Sequence, residues 1–130
     1  MMGGWASTVA VGLGASLGAL LRWRAGVWLN TSWQGFPLGT LLVNLAGGLL
    51  IGMALEYFGR QPNELLKLLL VTGFLGGLTT FSAFSGESLS LLQRGQFGLA
   101  LAHAAAHVLG SLACAAAGMQ LLRALIPLKG

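Results

Sequence analysis

"LLLVTGFLGGLTTFSAFSG", residues 68–86, carries no charged side chain along its whole length. Such a run approaches the roughly 20 apolar residues a helix needs to cross a bilayer. Inside it, however, stand Gly73, Gly76 and Gly77, then the adjacent pair Thr79 and Thr80. Each glycine lowers helix propensity by about 1 kcal/mol, and threonine hydroxyls offer the neighbouring backbone an alternative partner. The stretch therefore predicts a transmembrane helix broken near residues 76–80. Unwound backbone at membrane depth is tolerated only where it is buried in protein or lines a cavity, and its freed carbonyls are natural ligands for a small cation such as Na+. Two copies meeting there about a two-fold axis, each giving two carbonyls, would make a four-oxygen site.

The rest of the chain is of the same kind. Hydrophobic residues make up 55% and charged residues 8% of 130 positions, and the mean hydropathy is +0.80, far from a soluble domain of this size. Charge-free windows at Trp5–Leu21, Leu38–Leu55 and Gly95–Leu122 join Leu68–Gly86 to give four spans. The expected fold is all-α, four transmembrane helices filling residues 1–130 as one domain. No basic residue precedes the first apolar run while Arg22 and Arg24 follow it, the reverse of a secretory signal peptide, so this run is kept as a first membrane helix. The loop "NTSWQGFP", residues 30–37, has turn chemistry and two interfacial aromatics, Trp33 and Phe36. A single cysteine, Cys114, has no internal disulfide partner and reads as a buried small apolar residue in an alanine-rich run.

Net charge of +4 does not mark a nucleic-acid surface, because the Lys and Arg residues are spread singly between apolar windows and read as helix-end anchors. With four crossings, Arg22, Arg24 and Arg94 fall on one side, and Arg60, Lys67, Arg123 and Lys129 on the other. A difference of one leaves the positive-inside rule little to act on. Such a chain is expected to insert in both orientations, so that two opposed copies pair about an axis in the membrane plane; moving one boundary residue such as Arg22 would restore a modest bias. Four short helices hardly enclose a polar path alone, and an oligomer is expected. Gly14 and Gly18, and Gly48 and Gly52, have GxxxG spacing and predict close helix packing.

Polar groups enter the membrane at few places. Asn44 lies within the second span between Val43 and Leu45, where an unpaired carboxamide is costly. It either bonds a neighbouring helix or lines a path with its N–H donors toward an anion. His103, His107 and Ser111 recur at i, i+4, i+8 on the fourth span, with Cys114 and Gly118 continuing that side. Two histidines alone do not make a metal site, and the carboxylates are only Glu56, Glu64 and Glu87, so packing or path lining is the favoured reading; a proton-coupled role is a further one. Beyond the break, Phe81 and Phe84 share a face with Ser85 and Ser88. Ring edges are positive. With the hydroxyls of Thr80, Ser82 and Ser85 nearby, they suit a partly dehydrated small anion without a fixed charge that would trap it; core packing is the alternative. Glu87 is either a helix-end residue or a guard on a vestibule. The glycines are no Walker A loop, since the phosphate-binding Lys is missing, and no GxGxxG occurs because Leu17 stands in the third position.

Three motifs carry a resemblance. "GFLGGLTTFSAFS" (73–85) closely resembles the third-helix signature of the Fluc (CrcB) family of fluoride channels, and "GASLGALLRW" (14–23) and "GTLLVN" (39–44) are similar to its first- and second-helix segments in order and spacing. The resemblance implies an antiparallel, dual-topology homodimer in the cell inner membrane. Each of two pores would be a passive, fluoride-selective path out of the cytoplasm, and a structural Na+ would sit at the dimer interface. It implies that Phe81 and Phe84 are the rings meeting fluoride and Asn44 the pore amide, and that Ser111 lies on a fourth-helix polar track with His107 at a position that is Ser in some members. Gly76 and Thr79 would give carbonyls to Na+, and Arg22 and Glu87 would flank the vestibule. Ala83 departs from the commoner Thr of "TTFSTF". The alternative function is a small proton-coupled multidrug-type exporter, which wants a carboxylate in mid-helix, and the first helix has none. A structural subunit of a larger complex is a third reading. An enzyme is not expected, for no nucleophile, base and orienting group stand together.

Overall fold

A computed structural model describes residues 4–31 and 36–128, so that Trp33 and Lys129 lie outside the described residues. Four helices are long and apolar enough to cross a membrane: α1 (Trp5–Leu29), α2 (Leu38–Arg60), α3 (Glu64–Gln93, interrupted) and α4 (Phe97–Leu125). No strand occurs among the described residues. The helices overrun the charge-free windows, and α1 continues from Leu21 to Leu29 through both arginines. Arginine is a good helix former, and each side chain finds a partner without ending the helix. Arg22 turns inward, donating from Nε to the Gly77 carbonyl at 3.0 Å, while Arg24 lies over the rings of Trp23 and Trp28, 5.4 and 4.7 Å from their centroids. Neither arginine is the helix-end anchor expected from sequence.

The interruption of α3 is narrower than the expected 76–80. Residues 64–78 are helical, with a widened π-helical stretch at Leu68–Leu75 and Gly76–Leu78 continuing the helix. Only Thr79 (φ −87°, ψ 158°) and Thr80 (φ −151°, ψ 122°) are extended before Phe81–Gln93 resumes. Gly73 and Gly77 serve close approach to another helix rather than unwinding. A Cβ built on Gly77 would collide with the Ala15 carbonyl, and one on Gly73 would lie 2.8 Å from the Val11 carbonyl oxygen. In return, side chains at Gly14 and Gly18 would run into the backbone of Leu69, Phe74 and Leu78. Two GxxxG pairs thus face each other across α1 and α3, and Gly48 and Gly52 of α2 lie likewise against Ser111 and Ala115 of α4, with Gly118 returned against Leu49.

The core lies where α1, α2 and the first half of α3 meet, at Val43, Leu75 and Leu78, flanked by Ala25, Ile51, Val71 and Phe74. Outward faces stay apolar: Leu13, Leu17, Trp23, Val27 and Trp28 of α1 are more than half exposed, as expected where lipid is the solvent. At Gly95, with φ +74°, α3 turns into α4; the amides of Gly95 and Gln96 bond back to Leu92 and Leu91, a Schellman closure that favours glycine. At the far end Glu56 takes hydrogen bonds from Arg60 (2.8 Å) and Arg123 (2.9 Å), and Arg60 also donates to the Ile126 carbonyl, fastening α2 to α4.

Candidate functional site

Extended backbone at Thr79 and Thr80 frees peptide groups that need partners at membrane depth. Asn44 of α2 supplies them for Thr80: its Oδ1 accepts the Thr80 N–H at 2.8 Å and its Nδ2 donates to the Thr80 carbonyl at 3.0 Å. Thr80 in turn caps the second half of α3, its Oγ1 accepting the Ala83 N–H at 3.1 Å. These bonds divert the amides of Thr80 and Ala83 from the carbonyls of Gly76 and Thr79, their helical partners four residues back. Thr79 remains tied to the preceding turn through N–H and Oγ1, both bonded to the Leu75 carbonyl.

Asn44 reaches a third partner. Nδ2 also lies 3.0 Å from His107 Nδ1, so both its hydrogens are directed at protein acceptors. Of the two alternatives the sequence leaves, the helix-to-helix bond is present, and Asn44 also borders a cavity. A cavity of about 490 Å³ is lined by Asn44, Thr80, Phe81, Phe84, His107 and Ser111, among others. Ser111 Oγ donates to the Asn44 carbonyl at 3.4 Å.

Beside this cavity the rings form a cluster in which only Phe84 and His103 are stacked and the other pairs are tilted. Phe84 lies 5.5 Å from Phe81, 4.7 Å from His107 and 5.4 Å from His103, and the two imidazoles are 4.6 Å apart. His103 is 0% and His107 4% exposed, whereas Phe81 is 78% exposed on the single chain. His103 is held by Glu87 Oε1 at 3.1 Å and Ser88 Oγ at 2.9 Å, and Glu87 Oε2 accepts from Thr40 Oγ1 at 2.6 Å. Thr40 also donates its backbone N–H to Asn30 Oδ1 at 3.0 Å. A second cavity, about 370 Å³, has Arg22, Asn30, Thr40, Thr80, Ala83 and Glu87 in its wall. Thr80 borders both cavities.

Not every expected residue joins. Ser82 is exposed and bonded to Thr80 Oγ1 at 3.3 Å, and Ser85 is exposed and outside the lining of the first cavity. Cys114 is half-buried rather than buried, and Gly118 packs on α2 instead of extending a polar stripe. Missed from sequence is the gathering of Glu87, His103 and His107, whose ligand atoms lie within 4.8 Å of one another. The carboxylate and the imidazoles sit on different helices, and only the turn at Gly95 brings them together. Asn30 and Thr40, read as loop and helix start, also enter the site unannounced. Their signal was a polar pair bracketing a span junction.

The model of the family described as CrcB-like protein, Camphor Resistance (CrcB), matches residues 9–119. The chain belongs to the CrcB family. All three motifs of the sequence resemblance fall inside the matched range. Relatives in the CrcB family are similar over most of their length. The fluoride-specific ion channel FluC of Bordetella petrii is 53% identical over 90% of this chain and 91% of its own. That of Aromatoleum aromaticum is 57% identical over 80% and 81%, and that of Chromohalobacter salexigens 48% identical over 97% of each. Membership of the CrcB family and four membrane-crossing helices make this a multi-pass membrane protein.

Proposed function

We propose that the chain is a passive, fluoride-selective channel of the cell inner membrane, not an enzyme, working as an antiparallel homodimer with two pores. The ion's identity is supported by relatives, named fluoride-specific ion channels, that are about half identical over nearly the whole chain. The observation in the molecule that carries the reading is the Asn44–Thr80 pairing at the α3 break. It sits in the wall of a largely apolar cavity beside the Phe81 and Phe84 rings, whose described lining residues include no Asp, Glu, Lys or Arg. Ring edges and neutral donors attract an anion without trapping it. Arg22, on the opposite side of Thr80, lines the outer cavity with Glu87 and supplies positive charge at the entrance. Phe81, largely bare on one chain, would be covered by the second copy and complete the wall.

The freed carbonyls of Gly76 and Thr79 suit a structural Na+, since neutral hard oxygens are what such a cation takes. A bound Na+ would supply fixed positive charge that binds the breaks of two copies together. Driving force needs no coupling machinery: a unit charge crossing about 100 mV gains roughly 2.3 kcal/mol.

The test is fluoride efflux from liposomes holding the purified protein, with a K+ ionophore cancelling voltage and chloride as the comparison ion. Fast, ionophore-dependent fluoride loss with little chloride loss is expected. Folded protein that passes no fluoride would sink the reading.

A further inference from the structure

We propose that the membrane end formed by the last turns of α2 and α4 binds one anionic phospholipid, its phosphate on Arg123 and one acyl chain in the groove between α2 and α3. The proposal goes beyond the channel reading and needs only the membrane-spanning fold, whatever ion the chain conducts.

Three charged side chains meet at this end. Glu56 accepts from Arg60 Nε at 2.8 Å and from Arg123 Nε at 2.9 Å, so two guanidinium groups share one carboxylate and a positive charge is left over. Arg60 faces inward: its side chain is 17% exposed, its Nη1 donates to the Ile126 carbonyl, and its Nη2 is buried. Arg123 faces out, with 47% of its side chain exposed. Among the described residues its partner besides Glu56 is the Met119 sulfur, a weak acceptor 3.5 Å from Nη2. The surplus charge therefore sits on the side chain that can be reached, in the last turn of a membrane helix. Glu64 and Lys67, the other described charged groups of this end, are opposite in sign and three residues apart at the start of α3.

A groove of about 390 Å³ starts at the same end, for Tyr57 in its wall is one turn before Arg60 and Leu122 directly precedes Arg123. It follows α2 back to Leu50, about 10 Å of helix, with Leu70 and Phe74 of α3 also in its wall. Apart from the Tyr57 hydroxyl the lining side chains are apolar. A groove that runs from a charged helix end toward the bilayer middle suits a phospholipid, headgroup at water and chain in hydrocarbon. The chain gains little by exchanging lipid for leucine. Selection falls to the headgroup: a guanidinium matches phosphate oxygens, and a headgroup without an amine of its own brings the net negative charge that the cluster lacks.

The experiment is native mass spectrometry of the full-length protein, released from detergent that carries phosphatidylglycerol or phosphatidylcholine with the same acyl chains. One phosphatidylglycerol kept per chain is expected, with phosphatidylcholine lost. R123Q should lower that retention roughly fivefold or more. L50W, at an exposed position in the groove, blocks the chain while leaving the ion pairs in place and should lower it as well. R24Q, at an exposed arginine of the opposite end, should not. If R123Q does not fold, L50W and R24Q decide. Equal retention of the two lipids, or phosphatidylglycerol held as well by folded R123Q or by L50W as by the unsubstituted protein, overturns the proposal. So does its full displacement by millimolar inorganic phosphate, which would make the headgroup alone the ligand. So does folded protein that keeps no lipid, the result expected if a second copy covers the groove. A chain that binds the lipid but passes no fluoride loses the channel reading and keeps this one.

Discussion

Asn44 is the residue on which most of the site turns, for it serves a peptide N–H, a peptide carbonyl and an imidazole at once. In N44D the one oxygen that replaces Nδ2 would face both the Thr80 carbonyl and His107 Nδ1, leaving these two acceptors without the donor they have now, at about 1–3 kcal/mol each. Flux should fall at least roughly tenfold for each such loss, and the melting temperature of the detergent-solubilised protein should drop as well. A variant with normal flux and melting would show that the pairing does not hold the break. F81I tests the ring: flux should fall while the protein stays folded, and undiminished flux would make Phe81 packing alone. At this scale the sequence was partly legible. Asn44, Phe84 and His107 stood out because a polar or aromatic group in an apolar helix has few reasons to be there. Thr40 and Asn30 did not, because a Thr at a helix start and an Asn in a turn are ordinary, and only tertiary contact with Glu87 and with each other gives them work.

Among elements, α3 decides the architecture. Its interruption was readable from the glycines and threonines, but their division of labour was not. Threonines make the break, because Thr80 can cap the following helix and Asn44 can satisfy its peptide, while Gly73 and Gly77 remain helical and admit α1. Spacing alone does not tell a glycine that unwinds from one that packs. G77V and G18L should therefore act through packing, costing about 1–3 kcal/mol or more and lowering the yield of folded protein. G12A, on the same helix as Gly18 with nothing within 4 Å of the added carbon, should melt at the same temperature or slightly higher. If all three behave alike, the facing GxxxG pairs are not what joins α1 to α3. Helix ends were misjudged at Leu21 for a related reason: Arg22 and Arg24 looked like a water boundary, yet a carbonyl and two indoles receive them inside the helix.

For the molecule as a whole, the exposed Phe81 and the freed carbonyls of Gly76 and Thr79 support a second copy and a cation between the two. If the proposed dimer and its cation exist, replacing Na+ by a bulky organic cation should lower the protein's melting temperature and slow fluoride flux, and Na+ should restore both. Indifference to Na+ in both measurements would leave those carbonyls without the proposed ligand. Near-equal basic counts on the two sides predict that a tag at either terminus is accessible from both faces of the membrane in intact cells. The break has one more consequence, electrical rather than steric. A continuous α3 would carry one macrodipole with its poles near the two water boundaries; divided at Thr79 and Thr80, it carries two in series. The carbonyl pole of the first half and the amide pole of the second then meet deep in the membrane, opposite in sign and a few ångströms apart. Arg22 already meets the first pole at the Gly77 carbonyl, and what remains of the two poles would offer a cation and an anion each a favourable partial charge from the same peptide strand.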